Sequence, residues 1–260
     1  IGEIINKLEA CVLSNKASIL KGIEPTKASV SGQRIKLFFG SRQDIKNPIE
    51  ASLVVSTIPL DELYYLFCAD CNDGPRLKWR GVRLLYIVIK EQIKHPTETF
   101  YFPSTDIILG RVSEIKKYSP FINQGIKETL LTIEIPVSSG DRIWEMPEEP
   151  LLKLCVSDLV KTGVFEKIPT VVKSFSLKLD KVYPLYILGW ESDFFAIYNR
   201  LNSIHNLFSV GRGGLFLHCN IDHCITQGLE LSDLILSNKS RNKDLWEKKV
   251  LRFLKFSARD

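Results

Sequence analysis

Apolar and polar positions along the chain switch between a helical and a strand period. Ile4, Ile5, Leu8, Cys11 and Val12 recur on one face of a 3.6-residue period, which predicts an amphipathic helix over residues 3–14. Segments 18–23 and 34–39 alternate or run apolar between Gly, Ser and Thr turns, and read as strands of a meander. Residues 51–58, Ala-Ser-Leu-Val-Val-Ser-Thr-Ile, are a short β-branched run ended by Pro59, the pattern of a strand buried on both faces. Pro59 suits the first turn of a helix that continues to Leu66.

The centre of the chain is richest in strand patterns. Residues 82–89, 99–102, 107–112 and 128–135 are four strand candidates, punctuated by Pro103, Pro120 and the Ser-Ser-Gly at 138–140. A helix is predicted from Pro150 to Thr162, closed by Gly163. Residues 173–179 alternate as a strand with one wet face does. An α/β order then returns, with a helix over 193–201, a buried strand at 206–210, a Gly-Arg-Gly-Gly turn at 211–214 and a long amphipathic helix at 221–236. The order predicts a mixed α/β fold in two parts. Residues 1–66 and 186–260 form one discontinuous domain, and 67–185 an inserted domain built on a mixed or antiparallel β-sheet.

Composition narrows the classes. With 260 residues, 45% apolar and 25% charged, the chain is ordinary globular material, large enough to bury a core without staples. No apolar run approaches the length of a transmembrane helix. Thirty-five basic and 30 acidic side chains leave +5. The eight basic and three acidic residues from Lys239 to Asp260 account for that whole excess. The remainder is near neutral, so no nucleic-acid partner is expected. The same tail places Trp246, Val250, Phe253 and Leu254 on one helical stripe. A terminal helix docked with its basic face in water is the expectation, and contact with an anionic membrane surface the alternative. The opening Ile-Gly-Glu-Ile carries no n-region or cleavage site, so no signal peptide is read, and the chain is taken as processed or as the back portion of a longer protein.

Six cysteines show no disulfide framework, so reduced thiols and a cytoplasmic setting are expected. Cys68-x-x-Cys71 lies in an acidic Gly-Pro neighbourhood and reads as a loop, with no second pair at zinc spacing. The cluster His218-Cys219-Asn220-Ile221-Asp222-His223-Cys224 packs ligand-type side chains closely, yet fits no zinc-finger spacing. No metal site is expected.

A buried strand that ends in glycines and runs into a helix brings backbone N–H groups and a helix N-terminus toward an anionic ligand. Residues 206–236 have that form. Gly211, Gly213 and Gly214 carry no Cβ to obstruct such an approach. Asn220 or Asp222 stands where the helix N-cap belongs.

Asn206-Leu-Phe-Ser-Val-Gly-Arg-Gly-Gly214, followed by Asn220-Ile-Asp-His223 at a helix start, resembles the C-terminal flavin-binding motif of the FAD-dependent amine oxidase and protoporphyrinogen oxidase superfamily. The resemblance is closest to the branch holding UDP-galactopyranose mutase and the oxidoreductases of polysaccharide gene clusters. Three further segments fit in order: residues 51–60, with Ser52 where Asp is usual; Tyr101-Phe-Pro103 with Gly110-Arg-Val-Ser-Glu114 and Lys117-Tyr-Ser-Pro120; and Val182-Tyr-Pro-Leu-Tyr186. Together they span about residues 1–238.

The resemblance implies an FAD-dependent oxidoreductase acting by hydride transfer on a small anionic substrate, sugar nucleotides included. Gly211, Arg212, Gly213, Asn220, Asp222 and His223 would face the cofactor, and Arg111 and Tyr101 the substrate; it supplies no protein acid/base pair. Arg111 is also open to a structural pairing with Glu114. The alternatives are a redox-neutral mutase-type isomerase and a non-catalytic binding fragment. The family's Gly-x-Gly-x-x-Gly turn is absent from the sequence, so the resemblance implies the C-terminal portion of a larger enzyme, completed by a preceding segment or a partner subunit. The isolated chain is expected not to hold FAD. Pro25, about where a Val main chain brackets the adenine in relatives, and Cys219 or His218 in place of the usual Tyr, depart from the pattern.

Overall fold

The computed structural model describes residues 2–40, 47–68, 74–119, 121–122, 125, 127–237, 239 and 242–256. Helix α1 (Gly2–Ser14) forms as its period predicts, and leaves Ile4, Ile5, Leu8, Val12 and Leu13 exposed. Residues 18–23 are not the expected strand: Gly22 sits at φ +70°, which breaks the extended run. Strands β1 (Pro25–Ser31), β2 (Arg34–Phe39) and β3 (Ile49–Ala51) make a small antiparallel sheet in that order.

The apolar run at 51–58 is divided between two sheets. Ala51 closes β3 opposite Ile35, whereas β4 (Val54–Ser56) pairs in parallel with β10 (Leu207–Ser209). Asn206 marks the break, its Nδ2 donating to Ser52 O at 3.1 Å and Gln33 O at 3.1 Å while its carbonyl accepts from Val54 N. Helix α2 (Leu60–Phe67) follows directly from Pro59.

A third sheet, wholly antiparallel, has five strands in the order β6-β7-β8-β5-β9. Its members are β5 (Trp79–Ile89), β6 (Thr99–Tyr101), β7 (Arg111–Glu114), β8 (Thr129–Val137) and β9 (Val171–Pro184). Leu85, Ile87 and Ile89 alternate with Leu131, Ile133 and Ile135 on one face, where α4 (Glu148–Lys161) covers them with Leu151, Cys155 and Leu159. Buried Arg83, on the same face, donates to the carbonyls of Ile143 and Met146, tying short α3 (Arg142–Glu145) beneath the sheet.

The other core draws on both ends of the chain. Ile35, Leu60 and Leu63 meet α5 (Trp190–Asn202), β10, α7 (Ile221–Leu236) and α8 (Lys243–Phe253). Trp246, Val250 and Phe253 of α8 are fully buried there, so the apolar stripe of the tail packs into the protein and the basic face is what remains outside. No described helix is long and apolar enough to cross a membrane. Cys68 is disulfide-bonded, which corrects the expectation of reduced thiols throughout; Cys71 lies outside the described residues.

Candidate functional site

A cavity of about 1260 Å³ opens where the uncovered face of the five-stranded sheet meets the start of α7. Arg80, Arg111, Glu134 and Tyr183 reach it from the sheet, Tyr186 and Trp190 from the chain entering α5, and Asn220, Ile221 and Asp222 from α7. Arg111 opens β7 directly opposite Glu134 on β8, and cross-strand opposition makes them an ion pair. The guanidinium also lies 5.9 Å from the centre of the Tyr101 ring. Burial alone would lower the Arg111 pKa, but hydrogen bonds with Glu134 and Tyr101 outweigh it and hold the charge more firmly than usual.

The alternative pairing of Arg111 with Glu114 is not formed. Three residues apart on a strand, the two side chains project to opposite faces. Glu114 is buried and salt-bridged to Lys117 at 2.9 Å instead.

The turn expected at the glycine segment is a single helical turn, α6 (Gly211–Gly214). A Cβ on Gly213 would stand 2.9 Å from Thr57 O, and one on Gly214 2.9 Å from Ser56 O. The close approach these glycines permit is thus to the chain's own β4 end. Gly211 N donates to Gln227 Oε1 at 2.6 Å, locking α6 to α7. Between them Arg212 reaches the cavity, donating through Nε (3.0 Å) and Nη2 (2.6 Å) to Cys219 O and lying 5.1 Å from the Tyr183 ring centre. Its other N–H groups remain to serve a ligand.

Tyr183 and Tyr186 fall in the resembling segment 182–186, but neither they nor Trp190 and Arg80 are expected from the sequence as site residues, and no local pattern marks the last two. Tyr186 Oη donates to Phe216 O (3.2 Å) and accepts from His218 N (2.8 Å). Burial pushes its hydroxyl pKa up. The residue it braces, Phe216, is fully buried at φ +50° among Trp79, Tyr186 and Trp190, a strained conformation over-determined by aromatic packing.

Asn220 is the N-cap of α7, and Asp222 follows in the first turn. The cap is a reciprocal box: the Asn220 side chain serves the third helical N–H, and His223 Nδ1 accepts from Asn220 N at 3.2 Å. The His223 ring stacks on Phe256 at 4.6 Å and does not line the cavity, although Phe256 does. Cys219 and Cys224 bring their sulfurs to 3.8 Å across the same turn.

The sequence matches no family model, and no curated protein matches it. Solved structures do match, and they share the mixed α/β fold of this chain. A reduced UDP-galactopyranose mutase superposes with a TM-score of 0.69 at 19% identity, over 86% of this chain and 48% of that one. A protein assigned as a protoporphyrinogen oxidase, from Exiguobacterium sp. 255-15, gives 0.57 at 15% identity over 74% and 42%. A putrescine oxidase with putrescine bound gives 0.52 at 11% identity over 83% and 48%. The chain spans about half the length of each.

Proposed function

We propose that this chain supplies the substrate-binding wall and one cofactor-facing edge of an FAD-dependent oxidoreductase acting on a small anionic substrate. The observation that carries the reading is the convergence of Arg80, Arg111 and Arg212 with Tyr101, Tyr183, Tyr186 and Trp190 on one cavity beside a helix N-terminus. Guanidinium groups hold phosphate or carboxylate bidentately, and the aromatic rings give a planar ligand a surface to stack on.

The residues fit part of an FAD. Arg212 and the first turn of α7 (Asn220, Asp222) would border the flavin ring and ribityl chain, where the positive end of the helix favours negative charge. The capping box takes one of the first-turn N–H groups, and His223 serves the cap. The pyrophosphate has no fitting residues here, because no Gly-x-Gly-x-x-Gly turn occurs in the sequence; sequence outside these 260 residues would provide it. Flavin, when bound, supplies the hydride acceptor. Arg111 and Arg80 would fix the anionic end of the substrate, and the Tyr186 and Trp190 rings would exclude water beside it.

Trp190 lines the cavity, so its fluorescence reports occupancy. Titration of the chain with UDP should give saturable quenching that weakens in Arg111→Ala; no saturable change would overturn the anionic-substrate reading. The chain expressed alone should elute from gel filtration without FAD, and stoichiometric flavin on it would overturn the division of the cofactor site. Product analysis of the flavin-loaded complete enzyme separates oxidation from isomerisation. Net electron transfer supports the oxidoreductase, and its absence with a rearranged sugar nucleotide supports the mutase-type reading.

A further inference from the structure

The start of α7 carries a pair of thiols that the proposed function does not use. Cys219 immediately precedes the N-cap Asn220, and Cys224 is the fourth helical residue. Those are the two positions at which apolar side chains ordinarily pack to fix the entry of a helix. Here both are unbonded cysteines, Cys219 buried and Cys224 half-buried, with Sγ atoms 3.8 Å apart.

We propose that Cys219 and Cys224 are a reversible dithiol–disulfide site whose reaction partner is a low-molecular-weight disulfide. The Cys224 thiolate, the more accessible of the two, attacks one sulfur of R–S–S–R and releases R–S⁻. Cys219 then gives up its proton and attacks the Cys224 sulfur, expelling the second R–S⁻ and closing the protein disulfide. Two protein thiols lose two electrons, the small disulfide gains them, and the two thiol protons end on two R–SH. Closing from 3.8 Å to a bond of about 2.0 Å asks for movement confined to the first turn of α7. Burial and the adjacent sulfur push the Cys219 thiol up to about 12, so it is a poor nucleophile toward bulk reagents and reacts second, within the protein.

Arg212 donates twice to the Cys219 carbonyl, so the redox state of the pair bears on an arginine of the cavity. The other unbonded cysteines among the described residues lie elsewhere, Cys11 on α1 and Cys155 on α4. The inference stands whether or not flavin binds.

The test treats the Cys11→Ser chain with excess bis(2-hydroxyethyl) disulfide, quenches with acid, alkylates, and reads the tryptic peptide 213–239, which holds both cysteines. The expected product is that peptide two hydrogens lighter and closed to alkylation, with both sites reopened by reductant. In Cys219→Ala, which keeps an apolar residue at the position, Cys224 should accumulate a persistent mercaptoethanol adduct. Persistence of that adduct in the Cys11→Ser parent, or two alkylatable thiols after treatment, would overturn the proposal. A purely packing role predicts one of those two outcomes.

Discussion

Among single residues, Arg111 and Lys243 make the sharpest predictions. The Arg111–Glu134 pair is more than a third exposed on the arginine side, so its contribution to stability is under about 1 kcal/mol. Arg111→Ala should therefore leave the urea midpoint nearly unchanged while weakening UDP binding by about 1.5–3 kcal/mol. Arg111→Lys should recover part of that loss, since a point charge cannot reproduce the fork. A fall in stability without a change in the titration would make Arg111 a structural partner of Glu134 only. Lys243 is different. Its ammonium donates to Leu207 O and sits 4.0 Å from the Phe208 ring centre, yet burial lowers its pKa to about 8. A base depressed in the fold destabilises the protein below about pH 8, and that cost disappears as pH rises toward the unfolded value of about 10.4. Lys243→Met should thus be more stable than the wild type near pH 7, with the difference shrinking between pH 8 and 10.4. Burial pushes the Cys155 and Cys219 thiols up to about 12, so their ionisation in the unfolded chain from about pH 8.5 adds its own pH dependence, and the difference between the two proteins, followed by urea unfolding, is the quantity to read.

At the scale of elements, the α6–α7 corner shows what a sequence pattern can and cannot carry. Helix α7 runs from Ile221 to Leu236 as its period predicts, because Asn220 is an N-cap and the amphipathic repeat is long. The turn expected at Gly211–Gly214 forms, but its tight packing has a tertiary reason: Gly213 and Gly214 press against the carbonyls of Thr57 and Ser56, a contact about 150 residues away in sequence and invisible to local pattern. The split of residues 51–58 between two sheets was hidden likewise, since Asn206 decides it. Arg111 was legible as a charged residue on an apolar strand, but its partner Glu134 depended on the β7–β8 register. Gly213→Ala and Gly214→Ala should each cost about 1–3 kcal/mol through overpacking. Gly228→Ala, in the middle of α7 with open space around it, should stabilise by about 0.5–1 kcal/mol. Thermal melts of the three variants check the contrast, and a silent Gly214→Ala would mean that the corner is looser than described.

At the scale of the whole molecule, a buried carboxylate ties helix α2 to two strands of the five-stranded sheet, β5 and β9. Asp61 of α2 accepts from Trp79 Nε1 at 3.1 Å and from Lys181 Nζ at 3.1 Å, and Lys181 also reaches Glu62 at 2.8 Å. Asp61→Ala strands a buried indole N–H and a half-buried ammonium, so the expected loss is about 3–5 kcal/mol. Breaking the exposed Lys153–Glu149 pair with Lys153→Ala should cost less than about 0.5 kcal/mol. Equal effects in urea unfolding would rule out a joining role for Asp61.

Strand β9 has a consequence for the protein in concentrated solution. It is the outer strand of the five-stranded sheet, and it shows Phe175, Leu177 and Leu179 to solvent on one face. An unpaired strand edge beside apolar side chains is a template on which a second molecule can continue the hydrogen-bonded ladder. Two features blunt it: Lys173 stands on the same face, in register opposite Val88, and a bulge between Arg80 and Val82 irregularises the other end near Lys181, whose φ is +52°. A charge that docking would bury and a twisted backbone both oppose edge-to-edge growth. Lys173→Leu removes the charge without touching either core, and should turn a protein that stays clear into one whose light scattering climbs with concentration and time. If the variant scatters no more than the parent, the bulge alone protects the edge.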